Sequence, residues 1–169
     1  MTHIPEEVLY RILDVSRQLG ATADTRAVQE GVVNCLRDVL QAERATVFEF
    51  DPETNELVAI LGHGPDGGLD DSFAGIRFPV GTGLAGTAAQ DMSVINIPDA
   101  YADERFNRDI DRKTGYRTRS LLTIPMCDSD GSLVGVAQVL NKTSGVFEEQ
   151  DEAIAMALCS QCAVAMRRA

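Results

Sequence analysis

The feature that most narrows the fold is amphipathic helical spacing at both ends of the chain, enclosing a middle built of paired strand patterns. Val8, Ile12, Val15 and Leu19 step by four, three and four residues, which puts them on one face of a helix ending near Gly20. Thr25 can cap a second helix whose Val28, Val32, Leu36 and Val39 again share a face. Near the other end, acidic Glu148, Glu149, Asp151 and Glu152 favour a helix start, and Ile154, Leu158 and Cys162 continue one stripe. Between them lie strand patterns: 45–50, with Thr46, Phe48 and Phe50 on one face, then 57–61, then Ile76, Phe78 and Val80, then 94–97, and finally 120–126 and 133–140 about the turn Asp128-Ser129-Asp130-Gly131. Gly81, Gly83 and Gly86 precede or open a small-residue stretch through Ala89 that reads as a short helix, and the glycine-rich stretch 62–71 reads as a loop able to cover a ligand. Strands in hairpins with helices at both ends predict an α+β fold, a six-stranded antiparallel sheet with the N- and C-terminal helices packed on one face.

The length, 169 residues, fits one domain over 1–169, with a core of about 24–165, an N-terminal helix within 1–20 and a C-terminal helix over 148–168. A formal net charge of −11 disfavours contact with nucleic-acid phosphates or anionic lipid, and no apolar run approaches the roughly 20 residues that span a bilayer. With no signal-peptide pattern at the N-terminus, the expectation is a cytoplasmic protein. Cys35, Cys127, Cys159 and Cys162 form no disulfide framework and no zinc set, so they read as reduced thiols, and no metal or cofactor is expected.

Asn141-Lys142, four residues, Phe147, three residues and Asp151-Glu152 match the NK(x4)F(x3)DE signature of GAF domains in cyclic-nucleotide phosphodiesterases and some adenylate cyclases. The segments Asn96 to Ala102 and Thr114 to Arg119 also resemble that family, and the likeness runs from about Arg44 to Cys162. It implies a regulatory sensor, not an enzyme, that binds cAMP or cGMP, pairs with a second copy through its terminal helices and signals to an effector domain in a longer chain. The ending at Arg167-Arg168-Ala169, directly after helical sequence, fits a domain cut from a longer protein. Within the motif, Lys142 and Asp151 are expected to form a partly buried ion pair with Phe147 packed between, a clasp rather than a ligand contact.

The resemblance also implies ligand positions. Thr46 stands where the family has a hydroxyl on the first strand; Leu84 and Ala85 stand where amides at a helix N-terminus hold the cyclic phosphate. Asp111, Thr114 and Thr118 match polar contacts from the segment that closes over the ligand. At other ligand positions the chain departs: Gly62 and His63 replace an aromatic and an aspartate, Asn107 a tyrosine and Gln138 a glutamate. Those changes remove acceptors for guanine and leave the base open. His63 reads either as a ligand contact or as an exposed loop side chain. Two other readings stand beside the sensor: a GAF module for dimerisation or for another small ligand, and a free methionine sulfoxide reductase. The latter lacks the expected cysteine in the turn Gly83-Leu84-Ala85-Gly86, while Cys127 borders acidic groups that raise its pKa.

Overall fold

The computed structural model describes residues 4–168 except 65, 107, 109, 110, 113 and 114. Its elements run α1 (Glu6–Gly20), α2 (Thr25–Val39), β1 (Ala42–Asp51), β2 (Glu56–His63), β3 (Leu69–Asp70), β4 (Arg77–Pro79), α3 (Gly83–Asp91), β5 (Ile95–Ile97), a 3-10 turn at Ala100–Ala102, β6 (Leu121–Cys127), β7 (Leu133–Lys142) and α4 (Glu149–Arg168). The strands form one antiparallel sheet ordered β3-β2-β1-β7-β6-β5, with β4 also paired to β2. The expected α+β class and antiparallel sheet are present. The described residues hold seven strands where six were expected, because Leu69–Asp70 folds back onto Gly62 and His63 instead of remaining loop.

The cap of α2 lies one residue earlier than predicted: Asp24, not Thr25, is the N-cap, and its carboxylate accepts from the Arg26 amide. α1, α2 and α4 pack against one another on one side of the sheet. Their apolar stripes meet alternate residues of the central strands, so that Val32, Leu36, Ala45, Leu122, Ile124, Val139 and Leu158 form the main core at no more than 1% exposure. At about 1.5–3 kcal/mol for each large aliphatic side chain taken out of water, this layer supplies most of the driving force. α3 lies across the opposite face. Its small Ala85, Ala88 and Ala89 let it settle on Leu57 and Val136, while Leu84 packs with Ile97 and Leu121. Gly135 permits β1 and β7 to approach, since a Cβ there would collide with the Phe48 carbonyl oxygen.

The β1 and β2 pairing contains a bulge that decides the site. Val47 pairs with Leu61 and Phe48 with Ala59, leaving Ile60 as the extra residue. One inserted residue inverts the facing of everything beyond it. Leu57 packs on the α3 side, but Leu61 belongs to the helix-layer core, and Gly62 turns to the α3 side.

Candidate functional site on the sheet face beneath the short helix

Three polar side chains sit in register across the centre of the α3 face. Thr46 of β1 pairs with Gln138 of β7, which pairs on its other side with Thr123 of β6, and Gly62 of β2 completes the row beyond Thr46. Directly opposed residues of antiparallel strands share a face, with Cβ atoms about 5 Å apart, so the row is contiguous. Among the described residues neither Thr46 nor Gln138 has a side-chain hydrogen-bond partner. Thr123 is fully buried, and among the described residues its Oγ1 has no hydrogen-bond partner. An unmet buried hydroxyl costs about 1–3 kcal/mol, so this arrangement calls for a further group. At the Gly62 end a Cβ would lie 2.8 Å from Thr46 Oγ1 and 2.9 Å from Phe73 Cζ; the glycine thus lets an aromatic ring from the following loop stand beside the row.

α3 roofs this row. Val136 and Leu140, the residues that flank Gln138 on the same face of β7, pack respectively into the Ala85 and Leu84 clusters. The first turn of α3 therefore lies above Gln138. Gly86 N–H is the first helical amide to reach back, to the Thr82 carbonyl at 3.1 Å, and the Thr82 side chain makes no cap. Among the described residues the amides of Gly83, Leu84 and Ala85 have no acceptor, so they stand as orphan donors at the positive end of the helix. Leu84 and Ala85 are each 4% exposed, so their side chains anchor the helix while their amides carry the polarity.

The closing segment is held by a compact clasp. Asp111 accepts from the Thr118 amide at 2.7 Å, the Thr118 hydroxyl at 2.9 Å and the Tyr101 hydroxyl at 2.8 Å. Both Asp111 and Thr118 are buried, so two expected ligand positions are brought together and in this state satisfy each other. Asn107 and Thr114, the other two expected in this segment, lie outside the described residues. Tyr101 stacks with Phe106 at 5.5 Å between centroids, and Phe106 packs on the Leu84 cluster, which places the clasp beside the α3 N-terminus. The Arg108 and Arg117 guanidiniums stand 4.8 and 4.4 Å from the Tyr101 ring centroid. Six of the fifteen Lys and Arg residues fall within 105–119, so basic charge is concentrated at this rim of a strongly acidic chain.

His63 departs from both readings made of it. It is 1% exposed, its Nδ1 accepts the Ala45 amide at 3.0 Å, and its Nε2 lies 2.9 Å from Asn34 Oδ1 on α2. An accepting Nδ1 requires the neutral tautomer with the proton on Nε2. Burial, and then the nearby Arg37 charge, push its pKa down to about 4. The cause of the misplacement is the bulge at Ile60, which sends His63 to the helix layer with Leu61. Nor is the glycine-rich stretch a free cover: the Gly67 carbonyl accepts from Arg37 of α2 at 3.0 Å, tying it to that same layer.

Asn141, Lys142, Phe147, Asp151 and Glu152 act as joints. Asn141, in the left-handed region with φ +59°, donates to Glu43, the Tyr116 hydroxyl and the Arg117 carbonyl and accepts the Arg119 and Ser120 amides. Lys142 Nζ lies 2.9 Å from both Asp151 Oδ1 and the Leu40 carbonyl, and Asp151 Oδ2 accepts the Glu148 amide at the start of α4. Phe147 is buried with Lys142 Nζ 5.9 Å from its ring, and Glu152 accepts from Asn96 of β5 at 3.0 Å. The expected ion pair is present, and none of these five groups belongs to the Thr46, Gln138 and Thr123 row.

Cys127, Cys159 and Cys162 are not poised as nucleophiles. Cys159 and Cys162 are buried with their thiols pushed up, Cys162 first by its contact with Cys35 and Cys159 by burial. Cys127 is raised by burial and then by Asp128. Among the described residues no cluster of His, Cys, Asp or Glu could hold a metal, and no helix is long and apolar enough to cross a membrane.

Thr123 and Phe73 carry no signal of a site in the sequence. Thr123 reads as one more β-branched strand residue, and only its missing partner marks it. Phe73 lies in an irregular stretch whose approach to Thr46 is a tertiary event.

The chain is 48% identical over 95 residues to the dual 3',5'-cyclic-AMP and -GMP phosphodiesterase 11 of Drosophila melanogaster, a match covering 56% of this chain and 6% of that protein. It is 44% identical over 96 residues to the cGMP-specific 3',5'-cyclic phosphodiesterase of Drosophila virilis, covering 56% of the chain and 11% of the relative. The matched stretch is thus only a small part of these much longer enzymes. Among solved structures, the GAF domain of a phosphoenolpyruvate-protein phosphotransferase from Coxiella burnetii superposes with a TM-score of 0.80 at 22% identity, over 95% of this chain and 92% of that one. The GAF domain family matches residues 24–166, and the chain belongs to it.

Proposed function

We propose that this domain is a regulatory sensor that binds a cyclic nucleotide between α3 and the polar row of the sheet, and passes the signal through paired terminal helices to an effector domain in a longer chain. The observation that carries this reading is the uncapped first turn of α3 lying above Gln138. Orphan amides at a helix N-terminus bind a phosphate without a lysine, and the neutral row below offers hydroxyl and amide groups to a base. The relatives named for cAMP and cGMP hydrolysis support the ligand class. The basic rim over 105–119 would draw an anion toward this end of an otherwise acidic molecule.

The output runs through the helix layer. α1 exposes Leu9, Tyr10 and Leu13, at 42%, 63% and 62%, and the neighbouring α4 exposes Met156 and Val164. Exposed apolar side chains on two helices that pack together are suited to cover a second copy in a homodimer. A cytoplasmic location belongs to the same proposal; among the described residues no helix is long and apolar enough to cross a membrane.

Isothermal titration with cAMP, cGMP and linear 5'-AMP tests the ligand class. Saturable binding of a cyclic nucleotide, absent for 5'-AMP, is the expected outcome. No binding of either cyclic nucleotide at millimolar concentration, together with an unchanged melting temperature, would leave a dimerisation module or a sensor of another ligand.

A further inference from the structure

We infer that the row Thr46, Gln138 and Thr123, with the Phe73 ring at its end, reads the base of the ligand and selects adenine over guanine, with Thr123 as a specificity-determining contact. This rests on the cyclic-nucleotide reading of the same site. Gln138 sits at the centre, with a threonine in register on either side and no charged side chain in the row. A glutamine amide presents one donor beside one acceptor, which matches the adjacent amino group and ring nitrogen of adenine in a bidentate pair. Guanine presents two donor groups, N1–H and the N2 amine, beside one carbonyl. Complete pairing of that edge calls for an acceptor-only carboxylate, which the row does not contain.

Thr123 adds what the amide leaves unmet. Its Oγ1 is fully buried and unpartnered, one strand from Gln138 and on the same face. A hydroxyl in that position penalises the unliganded protein and is relieved when a ligand polar group arrives. The two states therefore respond oppositely to its removal, which a side chain serving only to fill the core would not produce.

The experiment is a titration of the whole chain with cAMP and cGMP, for the wild type, Thr123→Val and Gln138→Glu, with melting temperatures measured for each unliganded protein. The wild type is expected to bind cAMP about tenfold more tightly than cGMP. Thr123→Val, nearly isosteric, should melt about 2–4 °C higher without ligand yet bind cAMP about fivefold more weakly. Gln138→Glu should narrow or reverse the preference toward cGMP. Equal or tighter binding of cGMP by the wild type overturns the adenine assignment and leaves the sensor reading intact. A Thr123→Val protein that binds cAMP unchanged removes Thr123 from the site whatever its melting temperature. If neither nucleotide binds the wild type, the sensor reading falls, and this inference falls with it.

Discussion

Lys142 Nζ and Asp151 Oδ1 stand 2.9 Å apart with side chains only 13% and 12% exposed, joining the end of β7 to the first turn of α4. Asp151 simultaneously accepts the Glu148 amide, and Lys142 donates to the carbonyl that ends α2. Removing one partner strands the other charge in a poorly solvated place. Lys142→Met is expected to lower unfolding free energy by about 3 kcal/mol, measured by urea denaturation. The Lys142→Met, Asp151→Leu pair should cost less than the sum of the two single changes. Strict additivity would mean that the two side chains do not act as a pair.

His63 makes stability depend on pH in a defined window. Its folded pKa is near 4, against an ordinary value of 6.5, so the unfolded chain takes up a proton that the folded chain refuses. Unfolding free energy should accordingly be full above about pH 6.5, decline as pH falls and level off for this group below pH 4, a loss of about 2–3 kcal/mol. Chemical denaturation from pH 7.5 to 4.5 measures the slope, and His63→Gln should flatten it. An equally steep slope in that variant would assign the effect to other groups.

The Asp111 clasp should govern the closing segment. Thr118→Val removes one hydroxyl bond while the amide bond remains, with an expected cost of about 1 kcal/mol; Asp111→Ala removes all three acceptor contacts and should cost about 2–3 kcal/mol. Hydrogen exchange should accelerate over 100–106 and 115–119 in Asp111→Ala while the helix layer stays protected. Exchange that rises evenly through the domain would mean that the clasp supports the whole fold rather than this segment.

Leu13 is 62% exposed on α1, so changing it should leave the folded monomer nearly untouched while breaking a helical dimer. Leu13→Glu is expected to shift the sedimentation coefficient from dimer to monomer at micromolar concentration, with less than about 0.5 kcal/mol change in protomer stability. A wild type that sediments as a monomer at high concentration would remove α1 as a dimer face.

The sequence determined most of the architecture, because each element carries its period on its own residues. The stripe through Val28, Val32 and Leu36 could bury only as a helix face, and Thr46, Phe48 and Phe50 alternate onto the side of β1 that α3 covers. The ion pair of Lys142 and Asp151 was equally legible, since only the eight residues 143–150, Phe147 among them, separate a strand end from a helix start.

What the tertiary structure alone decided was which way side chains face beyond Ile60. Local alternation puts His63 on the same face as Leu57, and a single bulge, set by how β2 pairs with β1, sends it into the helix layer and brings Gly62 to the site instead. The meaning of Thr123 was likewise hidden. A hydroxyl is unsatisfied only with respect to its surroundings, and those surroundings come from β7 and α3, which pack around it from distant parts of the chain. Periodicity is a property of neighbours in sequence, whereas register and hydrogen-bond satisfaction are properties of neighbours in space.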